Sequence, residues 1–341
     1  MTGMRSDSNL SFDHSEWAAT VRHYFGSKWG SNKLEQRRLL QDLALRSEGA
    51  NLALSIECIA TAFRTIRCKR RVDHEGLSVH ALEMLFISQP AEFSSWLSLF
   101  MASCARMSQV SVLGRALGKS CATPTVDDVR VILPLPSVSS LIDAIIPALC
   151  KPYVDPCLRP PTGCWFGGHP HTQVLDITHG LSAVIEKSLD CHSHGAIAQS
   201  DIRQFYDSLS LVLVYHWLIE HNVPEVLAGL ILRHQMLASV RIQVGAATAY
   251  IPHRTIGSLT GSRTAGFVAR IPVEHMVVKR HLHWEQWGFG TPYVVLSMAT
   301  YVDNLFVAEQ SSMAARQILD DARSNTCFRS GTLLSSLRLV P

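Results

Sequence analysis

Ala196-Ile197-Ala198-Gln199-Ser200-Asp201-Ile202-Arg203-Gln204-Phe205-Tyr206-Asp207-Ser208 reads as a strand that meets a carboxylate and gives way to a helix. The run Ala196 to Asp201 has strand character. Asp207 or Ser208 can then cap a helix running from Leu209 to Asn222. The local order is strand, carboxylate, helix, and it places Asp201 at a strand end.

About a hundred residues further on, Tyr293-Val294-Val295-Leu296 and Leu305-Phe306-Val307 flank Tyr301-Val302-Asp303-Asn304. This pattern predicts a strand, a turn and a second strand, with the polar pair at the tip. Two carboxylates carried by different strands match the needs of phosphoryl transfer. That chemistry asks little covalent work of side chains, but it needs Mg²⁺ held by one or two carboxylates together with phosphate oxygens. Each aspartate also has a local reading: Asp201 as a helix cap, Asp303-Asn304 as a turn pair.

Around these two stretches the chain alternates helices with short strands. From Ser15 to about Ala116 the pattern is helical, with Leu39, Leu40, Leu43 and Leu45, then Leu52, Ile56, Ile59, Phe63 and Ile66, at three- and four-residue intervals. Val129 to Pro134 is a β-branched run closed by proline, and Ser137 to Cys150 reads as a helix kinked at Pro147. Prolines and glycines from Pro152 to Gly168 mark an irregular loop, and Thr172 to Leu189 is helical again. A helix around Pro224 to Leu237 precedes alternating Val240, Ile242, Val244 and Tyr250, which predict a hairpin around Gly245. Helices at Phe267 to Trp284 and Ser311 to Ala322 complete the pattern.

The 341 residues carry 31 Lys+Arg against 28 Asp+Glu, a net charge of +3, with 47% hydrophobic and 17% charged residues. Against an average of about 25% charged, this composition excludes a disordered chain and implies a sizeable core. Nine cysteines, an odd number without a CxxC pair, read as reduced intracellular thiols. The polar N-terminus lacks a secretory h-region. Leu209 to Ile219 is too short for the roughly 20 residues of a membrane span, so we expect a soluble intracellular protein, nuclear or cytoplasmic. His169, His171, His179, Cys191, His192 and His194 cluster without matching a zinc spacing. Arg64, Arg67, Lys69, Arg70 and Arg71 form a basic run, which fits either a solvated helix end or contact with a nucleic-acid backbone.

Taken together, Ser200 to Ser208 resembles the first catalytic motif of reverse transcriptases, Asp-x-x-x-x-aromatic-Asp, and Tyr301 to Asn304 resembles their Tyr-x-Asp-Asp box. Arg254-Thr255-Ile256-Gly257-Ser258-Leu259-Thr260-Gly261-Ser262-Arg263 is similar to their glycine loop, with Thr260 where the family carries Gln. Gly118-Lys119-Ser120 and Asp128 to Ile132 resemble the fingers segment. The likeness spans about Leu117 to Ala308 and is closest to non-LTR retrotransposon and group II intron enzymes.

The resemblance implies an α+β fold: a polymerase palm with an antiparallel sheet and flanking helices, plus fingers and a helical N-terminal lobe. The expected divisions are a lobe at 1–116, fingers and palm at 117–322, and an irregular divergent tail at 323–341 with no thumb, as in a truncated chain. It implies RNA-templated DNA synthesis in a retroelement, or alternatively a non-catalytic nucleic-acid-binding relic. Its partners would be an RNA template, a DNA primer and deoxynucleoside triphosphates, with no membrane. Asp201 and Asp303 would be catalytic and would hold Mg²⁺ or Mn²⁺, with Asn304 offering an amide oxygen in place of the family's second Asp. Tyr206, Ile202, Lys119 and Arg130 would meet the nucleotide, Tyr206 excluding a ribose 2′-hydroxyl. Gly257, Gly261, Ser262 and Arg263 would support template and nucleotide.

Overall fold

The structure, a computed structural model, describes residues 4–6, 9–11, 13–29, 38–39, 42, 52–107, 111–118, 125–126, 129–167, 173–191, 195–202, 205–236, 239–251, 256–290, 296–325 and 333–339. The fold is α+β. In chain order the described strands are β1 (Met4–Ser6), β2 (Asn9–Ser11), β3 (Ser111–Gly118), β4 (Val129–Ile132), β5 (Cys164–Phe166), β6 (Ala196–Ile202), β7 (Ser239–Val244), β8 (Ala247–Ile251), β9 (Met298–Tyr301), β10 (Asn304–Glu309) and β11 (Leu333–Leu339). The chain divides into two compact units, one of Met1–Tyr153 with Ser210–Ala265, the other of Val154–Leu209 with Gly266–Pro341. No described helix is long and apolar enough to cross a membrane.

The first unit is built on a four-stranded sheet ordered β4-β3-β7-β8, in which β3 and β7 run parallel and the other neighbours antiparallel. In β7 the alternation seen in the sequence is realised: Val240, Ile242 and Val244 are buried while Arg241 and Gln243 face out. The helix His14–Lys28 covers the sheet with Trp17, Val21 and Phe25, and Trp29 just beyond it extends the same four-residue spacing onto Val112, Val131, Val240 and Ile251. Helices Ile56–Thr65, Val79–Ser88, Pro90–Met107, Leu211–Glu220 and Glu225–Met236 complete the unit. An aromatic series, Phe63, Phe86, Phe93, Trp96 and Phe100, joins three of them at centroid spacings of 5.3 to 6.1 Å.

The second unit holds a five-stranded sheet ordered β11-β6-β10-β9-β5. β6 is antiparallel to both β10 and β11, β9 is antiparallel to β10, and β5 lies parallel to β9. One face buries Ala198, Ser200, Leu305 and Val307, with the helix Ser312–Asn325 packed on β6 and β10. The opposite face carries Ile197, Ala299, Phe306 and Ala308 against Ile177 and Val184 of the helix Val174–Asp190.

Several segments correct the sequence expectation. Cys164–Phe166, inside the stretch expected to be an irregular loop, is the strand β5, paired with β9. The helix expected from Leu209 with Asp207 or Ser208 as its cap begins at Leu211 with Ser210 as N-cap, and Phe205–Ser208 forms a short helix of its own. Ser111–Gly118, inside the stretch that reads as helical, is the strand β3. Its Gly114 allows the approach: a Cβ there would meet Leu133 Cδ2 at 2.6 Å and the Ile132 carbonyl at 3.0 Å. Leu333–Leu339, in the tail expected to be irregular, forms β11, because the exposed edge of β6 offers it a complete ladder. Of the strand expected at Tyr293 to Leu296, residues 293–295 lie outside the described residues, and the observed strand begins at Met298.

Candidate active site

β6 alternates buried and half-buried residues along its length, which sets Gln199 and Asp201 on the same face. Register then decides what meets them: Asp201 stands opposite Asn304, and Gln199 opposite Phe306. The apolar cluster beneath the helix Val174–Asp190 takes Ile197 and Phe306 but stops short of Gln199 and Asp201, leaving that end of the face polar.

β9 and β10 are joined by a two-residue turn, Val302-Asp303, between the paired Tyr301 and Asn304. Val302 sits at φ +56°, a left-handed conformation that a β-branched residue adopts only under strain. Two-residue hairpin turns favour Asn or Gly at such positions, so this hairpin breaks its own local rule at the tip that carries Asp303. Strain of this kind concentrates at functional sites. The backbone N–H of Ile202 donates to the Asp303 carbonyl at 2.8 Å, fixing the turn beside the end of β6. Gly167 secures the other flank by donating to the Thr300 carbonyl at 2.6 Å, and a Cβ there would lie 2.6 Å from Tyr301 Cδ2 and 2.7 Å from that carbonyl.

The side chains form a connected polar set. Gln199 Nε2 donates to Asn304 Oδ1 at 2.8 Å, and Asn304 Nδ2 donates to Asp303 Oδ1 at 3.0 Å. Because a carboxylate only accepts, Asp303 dictates which end of the Asn304 amide faces it, and the amide oxygen turns to Gln199. Burial and then the charge of Asp303 push the Asp201 carboxyl above its usual range. The Tyr206 phenol is raised by burial, then by Asp303 and Tyr301. Asp201, Asp303, Asn304, Tyr206 and Ile202 are thus gathered at one end of the sheet.

The other expected residues belong to the first unit. Lys119 lies outside the described residues, as does the side chain of Arg130, whose backbone pairs with Leu117 in the β3–β4 ladder. Gly257 and Gly261 take left-handed turns at φ +85° and +100°. Ser262 is buried and engaged in starting the helix Arg263–Trp284: its hydroxyl donates to Asp143 Oδ1 at 2.5 Å and accepts from Gln235 Nε2 at 2.9 Å and Ala265 N at 3.0 Å. Asp143 also accepts from the backbone of Arg263 at 2.6 Å and of Thr264 at 3.1 Å, with His234 Nε2 at 3.3 Å. Burial alone would raise the Asp143 carboxyl. The nearby His234 ring, the Ser262 hydroxyl and the Arg263 N–H outweigh burial and hold it below the usual range. The Arg263 guanidinium donates to the carbonyl and hydroxyl of Thr65.

No protein-family model and no curated protein matches this chain.

The chemistry of the site rests on its own residues. Asp201 and Asp303 are both half-buried at this sheet end, close enough for the charge of Asp303 to act on Asp201, and a cation shared between them would relieve that repulsion. Mg²⁺ fits such a pair, since it takes one or two carboxylates and completes its shell with water and phosphate oxygens. Asn304 supplies neither charge nor, in this arrangement, a free oxygen. Among the described residues no group of three His, Cys, Asp or Glu side chains converges, so a bound cation would rely on oxygens from a substrate. Of the histidine-rich tract, His169, His171, His192 and His194 lie outside the described residues.

The sequence does not single out Gln199, Asp143, His234 or Gln235. Asp143 had one visible signal, a lone carboxylate inside the apolar run Leu141 to Ile146. Gln199 had none, because its partner Asn304 is 105 positions away.

Proposed function

We propose that the Asp201–Asp303 end of the five-stranded sheet is the metal-dependent centre of a polymerase palm of the reverse-transcriptase type, and that the chain carries out RNA-templated DNA synthesis within a retroelement. The observation that carries this reading is the meeting of two carboxylates, about a hundred residues apart in sequence, at one polar sheet end beside a strained hairpin tip. Asp201 and Asp303 would hold Mg²⁺ or Mn²⁺, whose chemistry when bound is to activate a primer 3′-hydroxyl and stabilise the leaving pyrophosphate. Tyr206, whose phenol is raised by burial and then by Asp303, would be the aromatic that selects a deoxyribose. On this reading Lys119 and Arg130 neutralise triphosphate charge, Ile202 contributes to the nucleotide pocket, and Gly257, Gly261 and Arg263 support the template.

A second reading, a nucleic-acid-binding relic without catalysis, is favoured by Asn304. Where a second carboxylate would bind metal, its amide is bonded to Asp303 and Gln199 instead.

Primer extension on poly(rA)·oligo(dT), with Mg²⁺ and Mn²⁺, tests both. Incorporation of dTTP that disappears in Asp201→Asn and in Asp303→Asn supports the polymerase. A chain that binds the primer-template yet stays inert at saturating metal supports the relic. A chain that does neither removes both readings.

A further inference from the structure

The basic run from Arg64 to Arg71 is sorted by the fold. Arg64 Nη2 donates to Thr61 on its own helix at 3.0 Å, and Lys69 Nζ pairs with Glu83 at 2.5 Å. Arg67 and Arg71 instead line a cavity of about 580 Å³, joined by Arg115 from β3 and Arg263 from the start of its helix. The loop between them turns at Cys68, which holds φ +55°, and the Arg71 N–H donates to the Cys68 carbonyl at 3.1 Å.

The two carboxylates in the cavity wall are already engaged. Asp73 Oδ1 accepts from the backbone of Glu75 and Leu77, each at 2.9 Å, and its Oδ2 accepts from Ser137 N at 2.7 Å. Asp143 is surrounded by Ser262, two backbone N–H groups and His234. Among the described residues no carboxylate pairs with Arg67, Arg71 or Arg115. Arg67, Arg71 and Arg115 are exposed at this cavity, and because neutral backbone donors leave the charge of Asp73 in place, the lining sets four guanidinium groups against the carboxylates of Asp73 and Asp143, an excess of positive charge. Guanidinium forks match the geometry of phosphate oxygens bidentately. The volume falls within the roughly 300–1,000 Å³ typical of ligand pockets.

We infer that the cavity bounded by Arg67, Arg71, Arg115 and Arg263 is a phosphoryl-oxyanion site, filled by the phosphates of a free polyphosphate or of a nucleic-acid strand. The site lies on the unit that does not carry Asp201 and Asp303; because Gly261 and Arg263 are shared with the loop assigned above to template support, occupation by a strand rests on the polymerase reading, whereas occupation by a free polyphosphate does not.

The test uses the full chain and two probes, inorganic pyrophosphate by calorimetry and a labelled 12-nucleotide single-stranded RNA by anisotropy across a salt series. Arg67→Gln/Arg71→Gln is compared with Arg64→Gln/Arg70→Gln, which removes the same charge from the same run outside the cavity. We expect the cavity pair to weaken at least one probe by about tenfold or more, and the control pair by less than about twofold. For RNA the slope of log affinity against log salt should also fall by roughly 0.7 for each phosphate that the variant no longer neutralises. Weaker binding of pyrophosphate alone identifies a free polyphosphate; weaker binding of RNA, with or without pyrophosphate, identifies a strand. Equal weakening in the two pairs, or no binding of either probe, overturns the proposal. Thermal melts verify that each variant is folded, and Arg115→Gln provides the same reading if the cavity pair is not. Both probes are measured in EDTA, where no metal at Asp201 and Asp303 can hold pyrophosphate, so failure of primer extension and failure of this site remain distinguishable.

Discussion

The side-chain amide of Asn304 donates to the Asp303 carboxylate at 3.0 Å while accepting from Gln199 at 2.8 Å. Asp303 therefore meets a neutral donor at the position where a third carboxylate would repel it. Without a bound cation this arrangement favours stability; with one it leaves a ligand short.

Asn304→Asp exchanges these two situations. In EDTA the variant should lose about 1–3 kcal/mol, since a donor to a carboxylate is replaced by a like charge. Mg²⁺ should restore more stability to the variant than to the native chain, and single-nucleotide additions should need less Mg²⁺. Thermal melts with EDTA and with Mg²⁺ check the first point, and a Mg²⁺ titration of primer extension the second. Equal melting behaviour of both chains under both conditions would contradict the hydrogen-bond assignment.

Glu309 lies at the far end of β10, 2% exposed, with no hydrogen-bond partner for its Oε1, and burial pushes its carboxyl up to about 8. The folded chain then keeps a proton that the unfolded chain releases. Stability from this group is complete below the ordinary 4.5 and is lost as pH rises from there to about 8. The slope is about 1.4 kcal/mol per pH unit. Urea melts at pH 5, 7 and 9 should show this decline in the native chain and its absence in Glu309→Gln.

Asp143 has the opposite sign. Its folded carboxyl is held below the usual range, so its contribution is present above the ordinary 3.8 and is lost as pH falls toward the folded value. Asp143→Asn turns an amide N–H toward backbone N–H donors and should cost about 3–5 kcal/mol. Denaturant melts at neutral pH measure the loss, and an acid titration should show that the variant has lost this acid-sensitive contribution.

Val302→Asn relaxes a left-handed residue whose strain costs roughly 1–2 kcal/mol. The variant should melt higher, by about 0.5–1 kcal/mol in stability. A lower melting temperature would mean that Val302 makes packing contacts that outweigh its backbone.

Local pattern made much of this architecture legible. The alternation of Val240, Ile242 and Val244 declares β7, and the Tyr301-to-Asn304 turn declares a hairpin, because both features lie within a few neighbouring residues. β3 was obscured because Gly114 and Arg115 interrupt an apolar run whose strand character comes from partners at Ile132 and Ser239 to Gln243. The tail strand was obscured likewise, since Leu333–Leu339 takes its conformation from the edge of β6. At the candidate site the aspartates stood out by type and position. Their supports did not, because Gln199 and Asp143 matter only through partners 105 and 119 positions away.

β6 lies between β10 and β11, and both neighbours are made long after it. On a ribosome adding about 5–20 residues per second, the strand bearing Asp201 waits roughly 5–20 seconds for Asn304 to emerge. Throughout that interval both of its hydrogen-bonding edges are open, which is the condition under which strands pair with the wrong chain. The same geometry that brings two distant carboxylates together thus makes this unit dependent on being shielded during its own synthesis. Yield of folded chain should therefore respond to translation rate and to holdase chaperones more strongly than the stability of the finished sheet would suggest.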